Sequence, residues 1–232
     1  MRILALESSA KAASAAISEN GRLVCQYWQA SGLTHSRTLL YMAESMLKNL
    51  EFTMDGIDAI AVANGPGSFT GIRIGAAAAK GLAWGAGKPV IGVSTLEAMS
   101  YHLSDREGVV ICPVMDARRD QVYNAKFIAR GGELERLCPD RAISIEQLVS
   151  EAEADEKTYF LVGDGAEMCY NILSERIADV RLAPETLRLQ SAYGVAMAAK
   201  HGTAVSPDEL SPNYLRLSQA ERERLARENQ VK

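Results

Sequence analysis

The stretch DAIAVANGPGSFTGIRIG, residues 58–75, joins an apolar run to a helix-like segment through a glycine-rich turn. The apolar run at Ile57–Ala63 is typical of a strand that is buried on both faces. Small and apolar residues from Thr70 to Trp84 predict a helix directly after the turn. A buried strand that leads into a helix is typical of α/β architectures, so an α/β fold is predicted.

Upstream of this stretch, the sequence predicts an antiparallel meander followed by an amphipathic helix. The turn Asn20-Gly21 favours a tight hairpin, and apolar residues recur at helical spacing from the candidate N-cap Thr34 to Leu50. Downstream, a strand at Val90–Val93 runs into a helix that Ser94-x-x-Glu97 opens as a capping box. The meander strands are Ile3–Glu7, Ala12–Ser18 and Leu23–Trp28. The order of these elements is that of a ribonuclease H-like unit.

The second half of the chain repeats this order. A second meander is predicted, then a helix from Ser144, a strand at Tyr159–Val162, a helix after Gly163 and a closing helix at Ser191–Lys200. The meander strands are Val109–Met115, Gln121–Ala129 and Glu133–Leu137. Two ribonuclease H-like lobes are therefore predicted, 1–104 and 105–217, each a mixed sheet flanked by helices. A charged, disordered tail is predicted at 218–232.

Composition excludes several classes of protein. The formal net charge of −4 and the absence of a Lys/Arg cluster with interleaved aromatics argue against autonomous nucleic-acid binding, so RNA contact would need a basic partner. The four cysteines form no Cys-x-x-Cys pair, which excludes a zinc ribbon and favours buried, reduced thiols. No apolar run approaches the roughly 18 residues that span a bilayer, so a cytoplasmic chain without a membrane anchor is expected.

The turn Asn64, Gly65, Pro66, Gly67 is the strongest candidate for a ligand-binding turn. Its glycines would allow close backbone approach, and the following helix N-terminus would offer N–H groups to an anion. The turn matches neither a Walker A loop nor Gly-x-Gly-x-x-Gly. A simple tight strand-to-helix turn is the alternative that the sequence leaves open.

Candidate catalytic groups are few. Glu7 and Asp116 end the first strand of each half, where paired carboxylates could hold magnesium in a cleft. Ser8 and Ser9 have no assignable histidine base. None of the three histidines has another metal-ligand type four residues on, so each is predicted to be a surface or capping residue.

Two helices carry the pattern of a docking surface. Small residues crowd the helix after the glycine turn, where another helix could approach closely, and methionines of the preceding helix suit irregular partners. The alternative is that both stripes pack on their own sheet. The predicted partner-contact residues are Thr34, Leu39, Met42, Met46, Gly71, Ile72, Gly75, Ala78, Ala79 and Leu82.

Three motifs resemble a known family: ILALESS at 3–9, NGPGSFTGIRIG at 64–75 and KPVIGVSTLEA at 88–98. The chain resembles the TsaB (YeaZ) family as far as PNYLR at 212–216. The resemblance implies an actin-like (ASKHA) fold. It also implies a role in forming N6-threonylcarbamoyladenosine (t6A) at position 37 of tRNAs that read codons beginning with adenine. In that family the catalytic subunit is a paralogue, TsaD, and TsaE supplies an ATPase.

The resemblance also implies a subunit without catalytic residues, cofactor or metal of its own. Thr95 and Met99 stand where the paralogue has two histidine metal ligands, so they are degenerate metal positions. The implied partners are TsaD in a heterodimer, TsaE in a nucleotide-dependent ternary complex, and a second copy when TsaD is absent. The chain would contact tRNA only through the complex, and it would not bind a membrane. The alternatives are a free-standing actin-like ATPase or phosphotransferase, and a peptidase.

Overall fold

A computed structural model describes residues 1–155 and 157–216, so the predicted tail at 218–232 lies outside the described residues. The first sheet has the order β3-β2-β1-β4-β5. Strands β1 to β3 are antiparallel, and β4 and β5 continue the sheet parallel to β1. The strands are β1 Arg2–Glu7, β2 Ala13–Glu19, β3 Arg22–Gln29, β4 Ala59–Gly65 and β5 Val90–Ser94, and the helices are α1 His35–Asn49, α2 Phe69–Ala86 and α3 Thr95–Ser100.

The second sheet repeats this topology in the order β10-β9-β6-β7-β8. Its strands are β6 Val110–Asp116, β7 Gln121–Arg130, β8 Glu133–Ser144, β9 Tyr159–Val162 and β10 Val180–Leu182, followed or interrupted by the helices α4 Ile145–Asp155, α5 Ala166–Leu173, α6 Glu185–Arg188 and α7 Ala192–Ala198. The predicted α/β fold, with two mixed sheets flanked by helices, is confirmed. Strand β8 is longer than predicted because it pairs with β7 along its whole length.

Helices α1 and α2 cover one face of the first sheet. Leu4 and Leu6 alternate toward this face on β1, as the two-residue period of a strand requires. Leu39, Met46 and Ala79 of the two helices complete this core cluster. The apolar stripes of both helices therefore lie against their own sheet.

Helix α7 covers the opposite face of the first sheet. Its Ala192 and Val195 pack with Ala5 and Ala16, whose small side chains leave room for a closely packed helix. The Oγ of Ser14 accepts a hydrogen bond from the N–H of Ala192 at 2.7 Å. The prediction that this helix closes the second lobe is wrong, because the last helix covers the face that earlier elements left open.

Residues 203–216, here called the strap, also return to the first lobe. Val205 bridges to Val90 at the free side of β5, and Leu210 is buried in the core beneath α2. The N–H of Asn213 donates to the carbonyl of Asn64 at 2.7 Å. Arg216 then reaches the second lobe and donates to the carbonyl of Ala117 at 2.6 Å. The predicted lobe boundaries therefore do not describe the chain after residue 190.

Candidate functional site

The turn after β4 holds the protein's own strap. A β-carbon at Gly65 would lie 2.2 Å from the carbonyl oxygen of Asn213, and φ at Gly65 is +129°. The Nδ2 of Asn64 donates to the carbonyl of Ser211 at 3.2 Å. Glycine is needed at this position because the strap backbone occupies the concave side. The structure therefore places the strap where a ligand of Asn64 and Gly65 would lie.

The second glycine of the turn receives the loop after β1. A β-carbon at Gly67 would lie 2.5 Å from the carbonyl oxygen of Ser9. The N–H of Ser68, the next residue, donates to that same carbonyl at 2.7 Å. Pro66, on the other side of Gly67, is buried. These contacts support the alternative reading, a tight strand-to-helix turn that packs against the chain itself.

A cleft of about 620 Å³ lies between the two lobes beside this turn. The first lobe contributes Lys11 and the start of α2, and the second lobe contributes Asp116, Arg118 and Asp164. Arg216 of the strap lines the cleft as well. Burial raises the pKa of Asp164, and the nearby Lys11 acts in the opposite direction. The cleft is thus lined by charges of both signs.

Glu7 and Asp116 lie in contrasting environments. Glu7 is completely buried, and its Oε1 accepts a hydrogen bond from the N–H of Ser9 at 2.5 Å while Oε2 has no partner among the described residues. Burial raises the pKa of Glu7 to about 7. Asp116 is exposed, and its Oδ1 accepts from the N–H of Arg118 at 2.6 Å. Glu7 is thus enclosed within the first lobe, whereas Asp116 is open to solvent at the cleft.

The degenerate metal positions lie in the core. Thr95 and Met99 are one turn apart on α3, and both are fully buried. Met99 packs in the cluster that joins α3 to the second sheet. Across the residues that the structure describes, no group of three or more His, Cys, Asp or Glu side chains is placed to hold a metal ion.

The predicted capping box before α3 forms only in part. The Oγ of Ser94 accepts from the N–H of Glu97 at 3.2 Å, as the motif requires. The carboxylate of Glu97 turns away and pairs with Arg136 of β8 at 2.7 Å. Glu97 thus contributes to the contact between the lobes rather than to the cap.

His102 and Ser191 form a buried pair that the sequence analysis missed. The Nδ1 of His102 lies 2.9 Å from the carbonyl of Leu187, so it carries the proton there, and Nε2 accepts from the Ser191 hydroxyl at 2.8 Å. Burial lowers the pKa of His102. The prediction of a surface or capping histidine is therefore wrong at this position, because His102 is buried. The pair could not be predicted from a local pattern, because 89 residues separate the two partners. The pair joins the end of α3 to the start of α7 and is closed to solvent.

Most of the predicted partner-contact residues are core residues. Seven of them are buried: Leu39, Met42, Met46, Gly71, Ile72, Gly75 and Ala79. A β-carbon at Gly71 would lie 2.1 Å from the carbonyl oxygen of Ser8, and one at Gly75 would lie 2.7 Å from its Oγ. The small size of these glycines therefore admits the protein's own loop. Only Thr34, Ala78 and Leu82 remain accessible.

The solvent side of the same two helices carries a different set of residues, here called the outer face: Leu40, Tyr41, Ala77, Gly81, Trp84 and Gly85. Tyr41 is 70% exposed and Trp84 is 56% exposed. A β-carbon at Gly81 or Gly85 would meet nothing within 4 Å. Large apolar side chains beside exposed small residues are the features that a second helix would need for close approach.

Comparison with known proteins first defines the class. Residues 29–223 match the model of a family described as TsaD: tRNA N6-adenosine threonylcarbamoyltransferase. The match covers most of the chain and places it in the class of proteins related to this transferase.

Full-length relatives define the family more closely. The chain is 31% identical over 225 residues to tRNA threonylcarbamoyladenosine biosynthesis protein TsaB of Bacillus subtilis, covering 95% of this chain and 96% of that protein. It is 31% identical over 228 residues to TsaB of Haemophilus influenzae, covering 93% and 94%. The solved structure of YeaZ from Pseudomonas aeruginosa superposes with a TM-score of 0.77 at 26% identity, covering 92% and 99%. The chain belongs to the TsaB family of t6A biosynthesis proteins.

Proposed function

We propose that this chain is a non-catalytic partner subunit in the formation of N6-threonylcarbamoyladenosine at position 37 of tRNAs that read codons beginning with adenine. It binds TsaD, which transfers threonylcarbamoyl from threonylcarbamoyl-AMP to tRNA, and TsaE joins the assembly in a nucleotide-dependent step. The complex acts in the cytoplasm. The observation that carries this proposal is the exposed apolar and small residues of the outer face. In addition, Thr95 and Met99, the degenerate metal positions, are buried in the core.

The outer face has the chemistry of a helix-to-helix contact. Ala77, Gly81 and Gly85 follow one another at intervals of four residues, so they lie along one side of α2. Each exposed glycine lowers helix stability by about 1 kcal/mol relative to alanine. Folding of the chain alone does not require glycine at these positions, because a β-carbon there would meet nothing. Tyr41 and Trp84 flank this stripe as large apolar anchors, the residue types that dominate protein interfaces.

The same face can serve a second copy of the chain. A twofold homodimer uses one patch on both subunits, so pairing with itself excludes pairing with TsaD. We therefore expect homodimer and heterodimer to compete for the outer face. Adding TsaD to the isolated chain should convert one assembly into the other.

The environments of the chain's candidate reactive groups support a binding role. Glu7 is fully buried whereas Asp116 is exposed, and both members of the His102–Ser191 pair are buried. Thr95 and Met99 fill the core with a hydroxyl and a thioether in place of the paralogue's imidazoles, and these are weaker ligands for a borderline metal. The chain would act by changing the population of conformations that TsaD adopts.

Reconstitution tests this function. Unmodified tRNA, threonylcarbamoyl-AMP, ATP, magnesium, TsaD and TsaE are combined with the chain present or omitted, and t6A is measured by mass spectrometry of the digested tRNA. We expect t6A to depend on the chain, and the chain alone to give none. Magnesium-dependent ATP turnover or peptide cleavage by the chain alone would contradict a non-catalytic role and favour one of the two alternatives.

A further inference from the structure

The fold brings together four cations that are far apart in the sequence. Lys11, Arg118 and Arg216 line the inter-lobe cleft, and Arg73 lies beside its rim on α2. Across residues 1–155 and 157–216, none of the four forms an ion pair with an acidic side chain. We call these residues the cleft patch. In a chain of net charge −4, a local collection of cations without an acidic ion-pair partner favours an anionic ligand.

An aromatic stack adjoins the cleft patch. The rings of Phe69 and Tyr214 are stacked with their centroids 4.4 Å apart and an interplanar angle of 14°. The Nε of Arg73 donates to the Tyr214 hydroxyl at 2.8 Å, so this cation lies beside the stack. Phe69 lines the cleft and Tyr214 is 38% exposed. A partly exposed ring beside cations can stack a base while the cations contact its phosphate.

The backbone holds one of these cations in an uncommon conformation. Arg118, Arg119 and Asp120 have φ angles of +62°, +58° and +54°, in the region that side chains disfavour. Such residues cluster at binding and catalytic sites because only the surrounding structure can maintain them. Here the turn places Arg118 at the cleft, where the acids Asp116 and Asp164 balance only part of the positive charge.

We infer that the cleft patch binds a single-stranded segment of RNA, with phosphates on Lys11, Arg118 and Arg216 and one base on the Phe69–Tyr214 stack. This inference rests on the proposed function, in which the RNA is the tRNA that the complex modifies. Single-stranded RNA is recognised through such stacking and phosphate contacts, whereas the grooves of duplex RNA expose no base face. The overall negative charge means that the chain supplies only part of the RNA affinity of the complex.

The test is the salt dependence of tRNA binding by the assembled complex. Each phosphate contact contributes about 0.7 to 0.9 to the slope of log affinity against log salt. The double variant Lys11→Gln with Arg118→Gln should therefore lower that slope by about 1.5. The double variant Arg106→Gln with Arg181→Gln removes the same charge from exposed sites outside the cleft, and should bind like the wild type. Equal slopes for the two double variants would overturn the inference.

The aromatic stack is tested at Tyr214. Tyr214→Ala removes the ring and should weaken tRNA binding about tenfold, whereas Tyr214→Phe keeps the ring and should bind nearly as the wild type does. Equal weakening by both variants would assign Tyr214 to holding the strap and would contradict the base contact. AMP serves as a competitor: if the Lys11→Gln, Arg118→Gln variant loses AMP binding but keeps tRNA binding, the cleft binds free nucleotide and the RNA inference fails.

Assembly is measured first by light scattering, so that the two proposals can fail separately. A chain that forms no complex would contradict the proposed function, and the same titrations on the chain alone at low salt would then decide the RNA contact. A complex that assembles and forms t6A but shows no change in slope would contradict only the RNA contact.

Discussion

Glu7 occupies a position where a carboxyl group is favoured in its protonated form. It is fully buried, and burial raises its pKa from 4.5 to about 7. Between these pH values the folded chain binds a proton that the unfolded chain has released. The free energy of unfolding therefore falls as pH rises through this window, by about 3 kcal/mol in total, and the loss is complete above pH 7.

The substitution Glu7→Gln removes this titration and keeps an acceptor for the N–H of Ser9. We expect the variant to exceed the wild type in stability by about 3 kcal/mol at pH 8 and to match it near pH 4.5, in urea unfolding followed by circular dichroism. Glu185→Gln, at an exposed site, controls for the loss of one negative charge. A stability difference that is the same at both pH values would contradict the raised pKa.

Alanine substitutions at two glycines of α2 should change the free energy of unfolding in opposite directions. A β-carbon at Gly71 would lie 2.1 Å from backbone of the loop at Ser8, so Gly71→Ala should lower the free energy of unfolding by about 1 to 3 kcal/mol. Gly81 has open space, so Gly81→Ala should raise it by about 1 kcal/mol through helix propensity. Guanidinium unfolding midpoints measure both. Shifts in the same direction would contradict the assignment of inner and outer faces.

The sequence predicted which helical residues share a stripe, but not what the stripe contacts. Leu39, Met42 and Met46 recur at helical spacing, and the nearest apolar surface available to them is the protein's own sheet. The outward signal lies off the stripe, in large apolar residues such as Tyr41 and Trp84. These residues could have been found by asking which apolar side chains break the amphipathic pattern.

At the scale of elements, local patterns predicted most strands and helices, whereas the pairing of distant segments was not predictable. The turn Asn20-Gly21 and the glycine turn after β4 each fix a neighbouring connection. The sequences of helix α7 and the strap contain no local pattern that indicates which sheet they pack against. Their position depends on which face of the first sheet remains open, and this is a property of the assembled fold.

The placement of α7 can be tested through Ser14. This buried hydroxyl accepts from the N–H of Ala192, which begins α7. Ser14→Ala leaves that buried N–H without its acceptor and should cost about 1 to 3 kcal/mol. Hydrogen exchange should show lost protection at 192–198. Ser36→Ala, at an exposed site on α1, is the control. Unchanged protection at 192–198 would contradict the packing of α7 on the first sheet.

At the scale of the whole molecule, β8 and the strap tie the two lobes together. Glu133 at the start of β8 pairs with Lys200 and His201 at 2.9 Å each, just beyond α7. The hydrogen bond from Lys200 is the chief reason that the pKa of Glu133 is lowered. Arg136 of β8 joins Glu97 of α3. The cleft is therefore bounded by two lobes that ion pairs and the strap connect.

The most direct test of the central claim combines Gly81→Arg with Tyr41→Asp in the reconstituted t6A assay. Both sites are exposed, so the variant should stay folded, with an unfolding midpoint that shifts only by the change in helix propensity. We predict that the variant no longer binds TsaD and that t6A formation falls to the level without the chain, while Asn171→Arg on α5 retains both. Wild-type t6A formation by the double variant would contradict a function exercised through the outer face.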